Sequence, residues 1–143
     1  MTRNKTTLLA KLGLAVALAS GLTAAAFQSP AFADGHTIAV TPSADLSDGD
    51  VVSVSITGGA ASATYFTAQC GEITPETFVC SSDVSPVDTD ENGSAQIPLT
   101  VRRSFDAVGP DGTPWGTVTC GDVQCYIAAG NDSGWDGTPI SFK

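Results

Sequence analysis

From residue 36 onward the chain alternates. In "HTIAVTP" the apolar Ile38 and Val40 share one side. "VVSVSIT" puts Val52, Val54 and Ile56 on one face and Ser53 and Ser55 on the other. A period of two belongs to a β-strand with one buried face, because successive side chains point to opposite sides of a sheet. "TYFTAQC" (64–70) returns to strand, and "SAQIPLTVRR" (94–103) turns Ala95, Ile97, Leu99 and Val101 inward. Pro98 then faces outward, and since proline gives no amide hydrogen to a ladder, it implies an edge or irregular position. "WGTVTC" (115–120) and "QCYIAAG" (124–130) read as strands joined through the short loop "GDV". "NDSGWDG" (131–137) reads as a loop, and "PISFK" (139–143) as a final strand with Ile140 and Phe142 inward. Turn clusters such as "SADLSDGD", "GGAAS" and "GPDGTP" separate these runs, and helix signals are almost absent. Short alternating strands at this spacing predict an all-β antiparallel sandwich. Widely spaced cysteines with an intervening tryptophan are missing, so an ordinary antibody-type domain is not expected.

The first 33 residues follow another rule. "MTRNK" is positive, "LLAKLGLAVALASGLTAAA" is apolar, and Ala31-Phe32-Ala33 is a small-x-small cleavage pattern. That order predicts a secretory signal over 1–33 and a working domain over 34–143. The uninterrupted apolar run is shorter than the roughly 20 residues a membrane span needs.

Removing the signal changes the charge. Arg3, Lys5 and Lys11 leave with it, so Arg102, Arg103 and Lys143 face all 15 carboxylates and the net charge becomes −12. Such a chain repels phosphate, because nucleic-acid affinity comes mainly from neutralising the backbone. It should also be soluble and remain a monomer. The adjacent arginines do not make a basic patch, since a strand points them to opposite faces. Each is expected to pair with a local carboxylate or lay its stem on apolar neighbours.

Export brings oxidising conditions, so Cys70, Cys80, Cys120 and Cys125 predict two disulfides. Of three possible pairings, Cys70–Cys80 and Cys120–Cys125 each close a short local loop, and each is worth roughly 2–3 kcal/mol. The spacings are not the paired CxxC of zinc sites, and His36 lies at what reads as a frayed terminus, so no metal site is expected. A single histidine also makes a Ser-His-Asp arrangement improbable. The carboxylates sit mostly in turns, where Asp serves local hydrogen bonding. Asn92-Gly93-Ser94 and Asn131-Asp132-Ser133 match the glycosylation sequon, but turn chemistry accounts for both.

Several stretches together are specific. "LSDGDVVSVS" (46–55), "AQC" (68–70), "NGSAQIPLTVRRSF" (92–105), "DGTPWGTVTC" (111–120), "QC" (124–125), "AGN" (129–131) and "ISF" (140–142) resemble the neocarzinostatin family over essentially the whole working domain. The cysteine spacings fit as well. The resemblance implies a seven-stranded immunoglobulin-like sandwich with a small ribbon subdomain. The cleft between them would hold a non-covalent enediyne chromophore. The protein would then be a secreted carrier, not an enzyme, shielding its cargo from water, thiols and light. The released chromophore, not the apoprotein, would damage DNA.

Alternation puts Phe66, Ala68 and Cys70 on one face of their strand and Tyr126, Ala128 and Gly130 on one face of another. Both sets match positions at which the family contacts its ligand. The Cys70–Cys80 bridge would form part of the cleft floor, its loop offering Glu72 and Phe78. Pro110 stands where the family carries a ligand-stacking aromatic, and Trp135 would cover the mouth from its loop. Trp115 is expected to be structural. A flat polyunsaturated guest wants apolar walls with a few polar anchors, and small residues let it approach the backbone. The chain departs from the family pattern at Glu72, where a tryptophan is usual, and near Val84–Ser85, where a phenylalanine is. Ligand identity is therefore open. The competing reading is a secreted binding or adhesion module that has lost its cargo, its cleft filled by Phe66, Phe78 and Trp135.

Overall fold

The computed structural model describes residues 35–143. The expected signal segment and the start at Asp34 lie outside the described residues. Ten strands and no helix are found among them: β1 (Thr37–Thr41), β2 (Val51–Thr57), β3 (Thr64–Thr74), β4 (Thr77–Ser81), β5 (Ser85–Asp88), β6 (Ala95–Thr100), β7 (Ser104–Val108), β8 (Pro114–Thr119), β9 (Gln124–Asn131) and β10 (Gly134–Ile140). They form the expected antiparallel sandwich. A three-stranded sheet runs β1-β2-β6, and a seven-stranded sheet runs β10-β9-β3-β4-β7-β8 with β5 added beside β3. Pro98 lies opposite Ser53 on β6, an edge strand, where its missing amide hydrogen leaves no ladder partner inside the sheet unsatisfied.

The alternating residues make the core. Val52, Val54 and Ile56 of the small sheet are buried with Val79, Phe105, Val118, Ile127 and Ala129 of the large one. Each fully buried aliphatic side chain contributes about 2 kcal/mol relative to exposure. Leu99 and Val101 join this core, while Ala95 and Ile97 are only partly buried because β6 has one neighbour. The disulfides pair Cys70 with Cys80 and Cys120 with Cys125. Cys70 and Cys80 face each other directly across β3 and β4.

Three strands were not read from the sequence. β4 buries Val79 but leaves Phe78 exposed, β5 has no fully buried residue, and β7 follows the arginines without a turn signal. The expected loop 131–137 is a tight turn at Asp132 and Ser133 followed at once by β10. Its glycines and proline suggest a loop, but Trp135 pairs with Gly130 and Gly137 with Ala128 along β9. Trp115 is 48% exposed on the edge strand β8 and fills no core position. Nor is His36 frayed: its Nε2 lies 2.9 Å from the Ala129 carbonyl oxygen and its ring meets Tyr65 edge-on.

Arg102 and Arg103 lie in neither β6 nor β7 but at the crossing from one sheet to the other. Val101 and Arg103 keep backbone partners here, the Asp50 carbonyl and the Cys120 amide, and at Arg102 between them the Gln69 side chain takes that part. The buried Gln69 amide donates to the Arg102 carbonyl at 2.6 Å and accepts the Arg102 N–H at 2.9 Å. Asp48 accepts the Arg103 N–H at 2.8 Å and lies 3.9 Å from the Arg102 guanidinium. The Arg103 guanidinium sits 5.3 Å from the centre of the Phe142 ring and donates to the Lys143 carbonyl. The expected pairing with a carboxylate and packing on an apolar neighbour are both present.

Candidate functional site: an open cleft on the larger sheet

β3 and β9 present two faces each. Tyr65, Thr67 and Gln69 of β3 and Cys125, Ile127 and Ala129 of β9 point into the core. The opposite faces carry the sequence-predicted residues, aligned by register: Phe66 beside Gly130, Ala68 beside Ala128, and Cys70 beside Tyr126. β10 extends this surface with Trp135 and Gly137, and β4 extends it with Cys80 and Phe78.

A cleft of about 860 Å3 opens over this surface. Its floor is Ala68, Ala128 and Gly137, all small. Tyr126 and Phe78 stand at one end, their rings edge-to-face with centroids 5.6 Å apart, and Trp135 stands at the other. The end of β7 at Val108, with Gly109, Pro110 and Gly112 of the turn leading to β8, supplies a further wall. That turn is held by its own bonds: the Gly109 amide donates to the Thr113 carbonyl at 2.8 Å, and the Thr113 amide donates to the Asp111 carboxylate at 3.0 Å. Hydrogen bonds from Thr113 hold the Asp111 carboxyl below its ordinary range. Pro110 is thus fixed at the rim without help from a ligand.

Eight of the eleven expected residues line the cleft: Ala68, Cys70, Phe78, Cys80, Pro110, Tyr126, Ala128 and Trp135. Three do not. Phe66 shares the face but lies past the Trp135 end, between Gly130 on β9 and Pro86 on β5, and is 41% exposed. Gly130 lies behind Trp135, and a Cβ there would come within 2.5 Å of the indole ring. Glu72 stands behind Tyr126 and accepts a hydrogen bond from its hydroxyl at 3.0 Å. This bond, with some desolvation, raises the Tyr126 phenol above its ordinary value of 10.0. Glu72 therefore orients a wall residue and does not itself form the wall.

The lining also includes Glu76, Ser81, Val84 and Asp136, which sequence reasoning missed. Glu76 sits at the β3–β4 turn and Asp136 in the stretch read as a loop, so only the pairing of the hairpins reveals them. The lining contains no Lys, Arg or His. Phe66, Phe78 and Trp135 do not fill the space, as the module without cargo would require: they are 41%, 41% and 56% exposed.

The β-sandwich, stapled by two disulfides, thus carries an open, largely apolar cleft with a small-residue floor. The chain belongs to the neocarzinostatin family, whose model matches residues 38–142. It is 41% identical over 137 residues to macromomycin of Streptomyces macromomyceticus, covering 94% of this chain and 93% of that protein. It is 38% identical over 121 residues to the antitumor antibiotic C-1027 apoprotein of Streptomyces globisporus, covering 85% of this chain and 83% of that one. Among solved structures, macromomycin superposes with a TM-score of 0.71 at 38% identity, over 76% of this chain and all of that one (100%). Apokedarcidin gives 0.56 at 30% identity, over 76% and 98% respectively. The family is one of carrier apoproteins, not enzymes.

Proposed function

We propose that this protein is a secreted apoprotein that binds, stabilises and carries a small enediyne-type chromophore without a covalent bond. The observation that carries the reading is the open cleft of about 860 Å3, a volume suited to a drug-sized guest. Its shape supports the same conclusion. A flat molecule can lie on Ala68, Ala128 and Gly137 close to the backbone, with aromatic rings at both ends of the strip. Small floor residues also present few C–H groups to a radical-forming core.

Residues 1–33 direct export, and the cargo is loaded into a monomer whose charge keeps it soluble. DNA is the target of the released chromophore. The carrier does not contact it, because three cations cannot offset 15 carboxylates. Mass spectrometry of the protein from its native producer, under non-denaturing conditions and in the dark, tests the reading. The expected result is a mass above that of the polypeptide, with an absorbing component extractable by organic solvent. Bare, colourless protein from producing cells would overturn it.

A further inference from the structure

The two disulfides differ in what covers them. Cys120 and Cys125 are 3% and 1% exposed, belong to the core, and do not line the cleft. Cys70 and Cys80 both line it. Cys70 is buried beneath its neighbours, whereas Cys80 is partly open. Thiol–disulfide exchange needs an attacking thiolate to reach a sulfur, so access decides which bridge reacts.

We propose that Cys70–Cys80 is a thiol-reactive site reached through the cleft, so that a guest in the cleft and the bridge in its wall protect one another. The proposal rests on the cleft being a ligand site. Its chemistry uses a small monothiol as reductant. One thiolate attacks the Cys80 sulfur, forming a mixed disulfide and expelling the Cys70 thiolate, which takes a proton. A second thiolate attacks the mixed disulfide and releases the Cys80 thiolate. Two thiols are oxidised to one small disulfide, and two electrons reduce the protein bridge to two thiols. A flat guest lying over Ala68 and Ala128 covers the approach to that sulfur.

The bridge matters to the guest because, beyond its hairpin ladder with β3 (Gly71–Val79, Glu72–Phe78 and Thr74–Thr77), β4 is weakly tied. It pairs with β7 at only two positions, Cys80 with Val108 and Ser81 with Ala107. β4 also carries Phe78, one of the aromatic end walls. Cutting the covalent tie between β3 and β4 loosens that wall and lowers affinity. By linkage, a guest that binds the bridged form more tightly opposes reduction by the same factor. Reduction is then a route by which a thiol-rich environment empties the carrier.

The test uses the full oxidised protein, a monothiol, and 9-hydroxymethylanthracene as a neutral flat probe. Alkylation and peptide mass spectrometry follow each bridge separately. Without the probe, Cys70–Cys80 is expected to open well before Cys120–Cys125. With the probe at ten times its dissociation constant, opening should slow about tenfold by mass action. The variant Ala128→Phe, which fills the floor with a side chain, should slow it without any probe. Equal rates with and without a bound probe would overturn the proposal, as would simultaneous opening of both bridges. If the probe does not bind, that result counts against the cleft as a site for flat aromatics and not against the access route. Ala128→Phe then decides the access route: slower opening supports the cleft as the route, and an unchanged rate rejects it.

Discussion

Replacing Gly130 with alanine tests how the end of the cleft is built. The added Cβ would lie 2.5 Å from the Trp135 ring and 2.5 Å from the Gly134 carbonyl oxygen. Carbon atoms rest at about 3.5–4.0 Å, so the methyl group intrudes by roughly 1 Å on both. Gly130 lies within β9, and Trp135 pairs with it from β10. Strand pairing resists backbone movement, whereas the indole can swing into solvent. Overpacking of this kind costs about 2 kcal/mol. For a domain of this size that lowers the melting temperature by roughly 8 °C. The cost should divide between two causes. In a Trp135→Ala background the ring clash is gone and only the carbonyl clash remains, so a double-mutant cycle should show about 1 kcal/mol of coupling. Urea unfolding followed by circular dichroism measures all four proteins without relying on tryptophan emission. Additive costs, within roughly 0.3 kcal/mol, would refute the idea that Gly130 exists to seat Trp135.

Other outcomes follow from the same geometry. Gln69→Leu removes both bonds to the Arg102 backbone and should cost about 3 kcal/mol in urea unfolding, because the amide group is buried and its partners lose their replacement strand. Gly93→Ala should be at least as damaging, since its Cβ would meet the Gly59 carbonyl oxygen at 2.0 Å at a φ of +77°; thermal melts in which the variant matches the parent would contradict this. Tyr126 should ionise above 10.0, read as the 295 nm absorbance difference between the protein and Tyr126→Phe, and Glu72→Gln should bring the transition back down. The bonded phenol is protonated, so its contribution to stability is fully present below the ordinary phenol range and is lost as pH rises through the raised folded value.

The core and the cleft differed in how plainly the chain announced them. Val52, Val54 and Ile56 alternate with serines, so their strand was legible at once, and Pro98 marked an edge. β4 and β10 gave no such signal. A strand that lines a cleft spends apolar side chains on a surface open to solvent, so inward and outward no longer mean apolar and polar. Phe78 and Trp135 are exposed for this reason, and the glycines of β10 read as a loop although Gly137 leaves room over the floor. Ala68, Cys70, Tyr126 and Ala128 were still found, because alternation along β3 and β9 fixes which face each side chain takes and the family resemblance says which face matters; Phe78, Cys80, Pro110 and Trp135 came from the resemblance alone. Phe66, Gly130 and Glu72 lie off the lining because sharing a face does not fix distance along it. Gly130 is covered by a ring from the next strand, and Glu72 is screened by Tyr126.

Gln69 gives the sheet crossing a consequence beyond its own neighbourhood. A primary amide offers one donor and one acceptor side by side, the same offer a strand backbone makes, so a single side chain acts as a one-residue splice between sheets. The splice lies two residues before β7, which carries Val108 and leads into Pro110. Tension or slack at this corner would therefore be felt as a change in the width of the binding groove, on the far side of the strand.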